Sequence, residues 1–296
     1  MDNKLEFPIL SHFRPADKLI YTYYVVIGFF ILIAGAIGRL DKWWLFGLHH
    51  LLVILILPII LKYLDSKNGK FFLFLRIFYP LFLFGTMYRE THELDQVIIA
   101  KPLDLWFAHW DQILFKCQPF IDFAKNCSGA FFSELMHIGY FSYFILIPLV
   151  PLIWWFKNNQ EKSEFRFFQL IFLYSIFFSL FIILPVQGPR IQIIEAISME
   201  RPGFIFAPFF EWLFRAADIA GAAFPSSHCG IATVVLASAV EDFPKLAPLI
   251  GLFVGLLYMA TVYGRFHYAV DVAYGVGLGL ICFIISPYIY RALLLK

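Results

Sequence analysis

Two histidines and one aspartate in the last quarter of the sequence have the types and spacing of a nucleophile and its base. His267 and Asp271 are four residues apart, so they are neighbours on one face of a helix. A carboxylate bonded to one ring nitrogen of a histidine fixes the tautomer and makes the other nitrogen a better nucleophile or base. His228, in the segment Pro225-Ser226-Ser227-His228, can supply or remove a proton. We therefore predict that His267, Asp271 and His228 are catalytic.

The residues around these histidines favour a bound anion. Ser226 and Ser227 open a helix, where free backbone amides and the helix dipole attract negative charge. Arg190 and Arg265 carry forked donors that suit phosphate oxygens. Together these groups favour phosphoryl transfer without a metal, stabilised by fixed positive charge. We predict that these two serines and two arginines bind phosphate.

Three further polar residues lie at predicted helix ends on the same side. Glu134 and His137 have the spacing of a di-iron ligand pair, but a second such pair is missing, so no metal site is predicted. They either line a substrate pocket or bond to neighbouring helices. Glu90 belongs either to a headgroup or acceptor site or to a solvated helix end.

The elements that carry these residues are predicted to be transmembrane helices. Of the 296 residues, 61% are hydrophobic and only 15% charged, whereas soluble domains carry about 25% charged residues. Apolar stretches of about 20 residues span a bilayer, and only as helices can they satisfy their backbone there. We predict an all-α polytopic membrane bundle of about eight helices. The predicted spans are residues 19–38, 43–64, 71–88, 130–156, 165–186, 226–240, 246–263 and 268–289.

The distribution of Lys and Arg predicts the orientation in the membrane. Eight spans place both termini on one side, and the short segments of that side hold the excess of basic residues, which marks it as cytoplasmic. The candidate site then lies on the opposite side, which we expect to be the periplasmic face of a bacterial inner membrane. A helix near residues 102–123, with Trp106 and Trp110 on one face, is predicted to lie at the membrane interface as an anchor or a substrate cap.

The motifs resemble those of the type-2 phosphatidic acid phosphatase / vanadium haloperoxidase superfamily. Its second motif reads Pro-Ser-Gly-His, which Pro225-Ser226-Ser227-His228 matches except at Ser227. Its third motif ends in His-x3-Asp, which His267 and Asp271 match. The resemblance implies that His267 attacks phosphorus to form a phosphohistidine, Asp271 orients it and His228 protonates the leaving alcohol.

The arginines of the superfamily pattern are displaced in this chain. The first motif, Lys-x6-Arg-Pro, is absent as written, because Arg201-Pro202 has Ile194 at the Lys position. We assign the first-motif arginine to Arg190, with Arg201 as the alternative.

The third motif departs as well. Its Arg would fall at Thr261, and the chain has Arg265 instead. The segment His267-Tyr268-Ala269-Val270-Asp271-Val272 is similar to the third motif of inositol phosphorylceramide synthases, which reads His-Tyr-x-x-Asp-Val.

The resemblance implies two accessory helices in residues 1–70 and a six-helix phosphatase-like core in residues 71–296. The expected activity is a lipid phosphatase or phosphotransferase that needs no cofactor. The alternatives are a transferase that moves a phospho-headgroup to a lipid hydroxyl and a non-enzymatic transporter. The expected partners are a phospholipid or other phosphorylated lipid, a lipid hydroxyl acceptor and membrane lipids, and no nucleic acid is expected.

Overall fold

The structure, a computed structural model, describes residues 12–194, 202–217 and 221–295. Every regular element in these three ranges is helical, which confirms the predicted all-α membrane bundle. The helices are α1 (Pro15–Ala36), α2 (Trp43–Asp65), α3 (Lys70–Phe78), α4 (Pro80–Ile98), α5 (Asp104–Phe115), α6 (Pro119–Asn126), α7 (Ala130–Phe156), α8 (Gln160–Ile183), α9 (Pro189–Gln192), α10 (Phe206–Ala217), α11 (Ser227–Asp242), α12 (Ala247–Tyr263) and α13 (Ala269–Leu294).

Six helical segments of the described chain are long and apolar enough to cross a membrane. They are α1, α2, the pair α3–α4, α7, α8 and α13. The other two predicted spans are the shorter helices α11, of 16 residues, and α12, of 17 residues. The third predicted span divides at Pro80, because proline has no N–H to donate and favours the first turn of a new helix.

The chain divides into two compact units. One unit contains the described residues up to Glu90 together with those from Ser286 onward, and the other is Thr91–Ile285. All candidate residues in α7 to α13 that the structure describes therefore belong to the second unit, whereas Glu90 belongs to the first.

The first unit contains a buried arginine that is fully paired. Arg76 is 2% exposed, and its Nη1 donates to Asp17 at 2.9 Å while its Nε donates to Asp65 at 3.0 Å. The Tyr79 hydroxyl also donates to Asp17, at 2.8 Å. A buried charge is tolerated only when it is paired and hydrogen-bonded. Arg76 thus ties α1, α2 and α3 together, and its charge is compensated within this unit.

Small residues allow α11 and α13 to approach closely in the second unit. A Cβ added to Gly275 would lie 2.3 Å from the backbone oxygen of Ser226, and one added to Gly279 would lie 2.5 Å from the oxygen of Gly230. This packing explains why α11 is rich in small residues although it is buried. It also places the first residues of α11 beside the first three turns of α13.

The other end of α11 is anchored to α8. Arg166 donates to both oxygens of Asp242, at 2.6 and 2.8 Å, and the Trp154 indole donates to the same carboxylate at 2.8 Å. Charge-assisted bonds of this kind are short and directional. They fix the axial position of α11 and therefore of His228 at its opposite end.

Candidate active site

His267 and His228 face one another across the junction of α11 and α13. Nε2 of His267 lies 3.3 Å from Nδ1 of His228. Nδ1 of His267 lies 2.7 Å from the carbonyl oxygen of Ala223. Because a carbonyl oxygen only accepts, Nδ1 of His267 carries the proton, and its Nε2 presents a lone pair.

The hydrogen bonds around the two histidines run in one direction. Since Nε2 of His267 accepts, Nδ1 of His228 must be the donor, and Nε2 of His228 then accepts from the Tyr140 hydroxyl at 2.9 Å. Burial lowers the pKa of His267 to about 4, although the Ala223 carbonyl raises it. His267 is therefore neutral near pH 7, as a nucleophile must be.

Asp271 lies directly behind His267. Its Oδ2 is 3.6 Å from Nδ1 of His267 and accepts the backbone N–H of Tyr268 at 3.0 Å. The main hydrogen bond that fixes the tautomer thus comes from Ala223, and the Asp271 carboxyl group lies beside the same nitrogen. A carboxyl oxygen in this position faces the positive charge that develops on an attacking imidazole.

Ser226 and Ser227 begin α11 at this site. Both side chains are buried, and Ser226 Oγ accepts the N–H of Cys229 at 3.4 Å as the N-cap. The N–H of Ser226 donates to the backbone oxygen of Asp271 at 3.1 Å. The Ser226 side chain therefore serves the helix terminus, and the segment is held against α13.

Arg190 and Arg265 are joined through their backbones. The N–H of Arg190 donates to the oxygen of Arg265 at 2.9 Å, and the Arg190 guanidinium lies 5.4 Å from the centre of the Phe266 ring. The centre of that ring lies 4.3 Å from the centre of the Tyr140 ring, and the two ring planes are tilted by 37°. Gly188 makes the close approach possible, since its φ is +92° and a Cβ there would lie 2.5 Å from the Phe266 oxygen. Arg201 lies outside the described residues.

Comparison with known protein families shows which family the chain belongs to. The model of the PAP2 superfamily matches residues 108–285, which are more than half of the chain. The chain belongs to the PAP2 superfamily. The resemblance inferred from its motifs is thereby confirmed, and His228, His267 and Asp271 all lie within the range that matches the PAP2 model.

Among curated proteins, a Dictyostelium discoideum protein named PA-phosphatase related-family protein is similar to this PAP2 chain. The two are 24% identical over 164 residues, which are 48% of this chain and 30% of the relative. The chain therefore spans less than a third of the length of that relative. No solved structure matches the chain.

The other candidate residues of this PAP2 chain lie in separate places. The Glu134 carboxylate accepts the N–H groups of Phe204, Ile205, Phe206 and Ala207, and so it caps the start of α10. Of the two roles left open for Glu134, the observed contacts are those of bonding to a neighbouring helix.

His137 donates from Nδ1 to the backbone oxygen of Ser133 at 2.7 Å, and the centre of its ring lies 6.0 Å from the centre of the Phe210 ring.

Glu90 lies in the first unit and pairs with a histidine there. Its Oε1 is 2.7 Å from Nε2 of His50, and both side chains are buried. Nδ1 of His50 donates to the Tyr24 carbonyl oxygen at 2.8 Å. Glu90 is therefore a buried, bonded residue and not a solvated helix end.

Sequence reasoning missed Tyr140, Asp104 and Asp111. Tyr140 is one turn after His137 on an apolar helix, and this polar spacing was the available signal. Asp104 and Asp111 are seven residues apart, so they share one face of α5. The sequence shows that shared face, but it gives no sign of the partners these carboxylates have.

Proposed function

We propose that this protein is an integral membrane enzyme that cleaves the phosphoester of a phosphorylated lipid through a phosphohistidine at His267. The observation that carries the proposal is the pairing of the two histidines. The lone pair on Nε2 of His267 faces the protonated Nδ1 of His228 at 3.3 Å. A phosphate that displaces this hydrogen bond and enters between the two rings would meet a nucleophile on one side and a proton donor on the other.

The first step transfers the phosphoryl group to His267. A bound phosphate favours the doubly protonated form of His228, because opposite charges stabilise one another. Nε2 of His267 attacks phosphorus, and the P–O bond to the lipid breaks with its electron pair on oxygen. His228 gives its Nδ1 proton to that oxygen, so a neutral alcohol leaves.

The second step returns the enzyme to its starting state. A hydroxyl of water or of a second lipid attacks the phosphohistidine and gives its proton to Nδ1 of His228. The P–N bond breaks, and its electron pair returns to Nε2 of His267. The Tyr140 hydroxyl, 2.9 Å from Nε2 of His228, can accept from or donate to that nitrogen and so serves both protonation states.

Fixed positive charge surrounds the position of the phosphate in this proposal. The amino-terminal end of α11 and the guanidinium groups of Arg190 and Arg265 would stabilise the charge on the transferring group. No metal is needed for these steps, because these groups supply the positive charge.

An apolar groove beside the site supports a lipid substrate. It has a volume of about 520 Å³ and borders the loop that holds His267 in place. Phe224 and Pro225, which line the groove, lie between Ala223 and Ser226 in the sequence. The other lining residues are Leu180, Ala273, Tyr274, Gly277, Leu278 and Ile281. We propose that it holds an acyl chain of the substrate.

Purified protein is expected to release inorganic phosphate from a phosphorylated lipid in the presence of EDTA. Vanadate should inhibit, because its pentavalent form resembles the transition state. Mass spectrometry of the lipids, with and without ceramide, distinguishes the acceptors: free phosphate indicates water, and a phosphorylated ceramide product indicates a lipid hydroxyl. Loss of activity on chelation, restored by a divalent metal, would contradict the metal-free mechanism.

Cysteine labelling tests the proposed orientation, with the site away from the cytoplasm. In a background without the four native cysteines, Ile194→Cys should react with an impermeant maleimide added outside intact cells, since Ile194 is 83% exposed and follows α9 on the site side. Lys157→Cys, at the exposed junction of α7 and α8, should react only after permeabilisation. The reverse labelling pattern would show that the orientation is wrong.

A further inference from the structure

Helix α5 has two unlike sides. Its exposed residues are mostly large and apolar, and they include Leu105, Trp106, Trp110, Ile113, Leu114 and Phe115. Its buried residues include two carboxylates, Asp104 at 2% exposure and Asp111 at 0%. Asp111 lies seven positions after Asp104, which is about two helical turns, so both carboxylates lie on the same side of α5 and point into the second unit.

Asp111 holds the first turn of α13. Its two oxygens accept the N–H groups of Ala269 and Val270, each at 2.9 Å. The first N–H groups of a helix have no partner within the helix and need one from elsewhere when buried. Ala269 and Val270 lie between His267 and Asp271 in the sequence, so Asp111 fixes the segment that sets the distance between these two residues.

Asp104 joins the arginine segment to the histidine segment. It accepts the N–H of Gln187 at 3.0 Å, the N–H of Gly188 at 2.7 Å and the Tyr268 hydroxyl at 3.0 Å. Gln187 and Gly188 directly precede α9, which carries Arg190, and Tyr268 directly follows His267. One carboxylate therefore sets the position of Arg190 relative to the nucleophile.

The charge state of the two carboxylates depends on these bonds. Burial raises the pKa of Asp104 and of Asp111, and the backbone N–H groups that donate hydrogen bonds to each carboxylate lower its pKa. Removing the carboxylates would leave the buried N–H groups of two site segments without acceptors, and those segments would have to move to find new ones.

We propose that Asp104 and Asp111 are positioning residues for phosphoryl transfer, through which α5 holds the arginine segment and the start of α13 in the geometry that the transition state requires. This inference rests on the proposed function. Neither carboxylate contacts the phosphate, and both act through the segments they bind. The apolar outer side of α5 suits the headgroup boundary of the bilayer, so the helix that positions the site is also placed to rest on the membrane surface.

The test compares Asp104→Ala and Asp111→Ala with Asp122→Ala, all as full-length protein in detergent. Asp122 is a matched control, because it lies on the neighbouring helix α6 and its carboxylate accepts the N–H of Gln118 at 3.2 Å. The readout is the inhibition constant of vanadate together with kcat. Partial unfolding lowers the concentration of active enzyme but leaves an inhibition constant unchanged, whereas displaced site segments weaken the binding of a transition-state analogue.

We expect vanadate to bind at least about 10-fold more weakly to both alanine variants, with kcat reduced in parallel, and equally well to Asp122→Ala. Asp104→Asn and Asp111→Asn keep the shape of the side chain and one acceptor oxygen, so they should lose less vanadate affinity and less kcat than the alanine variants. They also provide the test if an alanine variant does not fold. An unchanged inhibition constant in the folded variants would overturn the positioning role. A wild-type protein that neither cleaves phosphoesters nor binds vanadate would instead overturn the proposed function, and this inference with it.

Discussion

His267→Ala is expected to abolish phosphoester cleavage, because it removes the atom to which the phosphoryl group is transferred. Loss of a nucleophile costs orders of magnitude in kcat, about 10³-fold or more. The measurement is phosphate release from a phosphorylated lipid by purified variant and wild type at equal concentrations of folded protein. A variant that keeps more than about a tenth of the activity would show that His267 is not the nucleophile.

Two controls separate chemistry from folding in this experiment. His267 is 2% exposed and its Nδ1 is bonded to the Ala223 oxygen, so an alanine leaves a cavity and an unpaired carbonyl. His267→Asn retains an N–H donor for that oxygen and should also be inactive while melting closer to the wild type. His109→Ala, a change at an exposed histidine of α5, should leave activity unchanged.

His228→Ala is expected to lower kcat by about 10²–10⁴-fold on a lipid substrate, because the alcohol must then leave without a proton. The loss should depend on the leaving group. A p-nitrophenyl phosphate substrate releases a stable phenolate, so its phosphorylation step needs no proton donor and should be reduced much less. Single-turnover rates of the phosphorylation step on the two substrates, in wild type and variant, give the comparison, because the second step also uses His228 and would slow steady-state turnover of both substrates.

The role of His228 is decided by comparing the loss in rate of His228→Ala on the lipid with its loss in rate on p-nitrophenyl phosphate. Equal losses on both substrates would contradict the role of proton donor and would indicate that His228 only orients His267. Tyr143→Phe is a matched control, because its ring lies 4.3 Å from that of His228 while its hydroxyl bonds to Tyr174 at 2.6 Å. It should change the rates on both substrates equally.

The helical architecture could be predicted because the bilayer permits few alternatives. Long apolar stretches must be helices in lipid, and α1, α2, α7, α8 and α13 lie close to the predicted spans. The sixth predicted span, residues 226–240, is the shortest of the eight, and α11 contains small residues where Gly275 and Gly279 of α13 approach it. Hydropathy alone does not reveal such a contact between two helices.

The candidate site could be predicted only in part, for a physical reason. His228, His267 and Asp271 stand out because their types and spacing occur within short segments. The groups that hold them come from distant segments: Ala223 for His267, and Tyr140 on α7 for His228. Hydrogen bonds between segments so far apart are fixed by tertiary packing, which a single sequence does not show.

Glu134 shows the same limit, because its partners are also fixed by tertiary packing. Its position near His137 was compatible with a pocket or with bonding between helices, and the structure shows its carboxylate bound to four consecutive N–H groups at the start of α10. A carboxylate with that many donors is a helix cap. The sequence around residue 204 has Gly203 and Pro208, which are compatible with a helix start, but it does not show that Glu134 provides the cap.

Trapping the intermediate tests the central claim most directly. Wild-type protein is mixed with a lipid labelled in its phosphate, quenched within one turnover and digested at alkaline pH, where phosphohistidine is stable. We predict that the label is found on the peptide that contains His267 and that it disappears when the quench is delayed until the substrate is consumed. A label found on another residue, or product formation with no labelled protein at any time, would contradict the phosphohistidine mechanism.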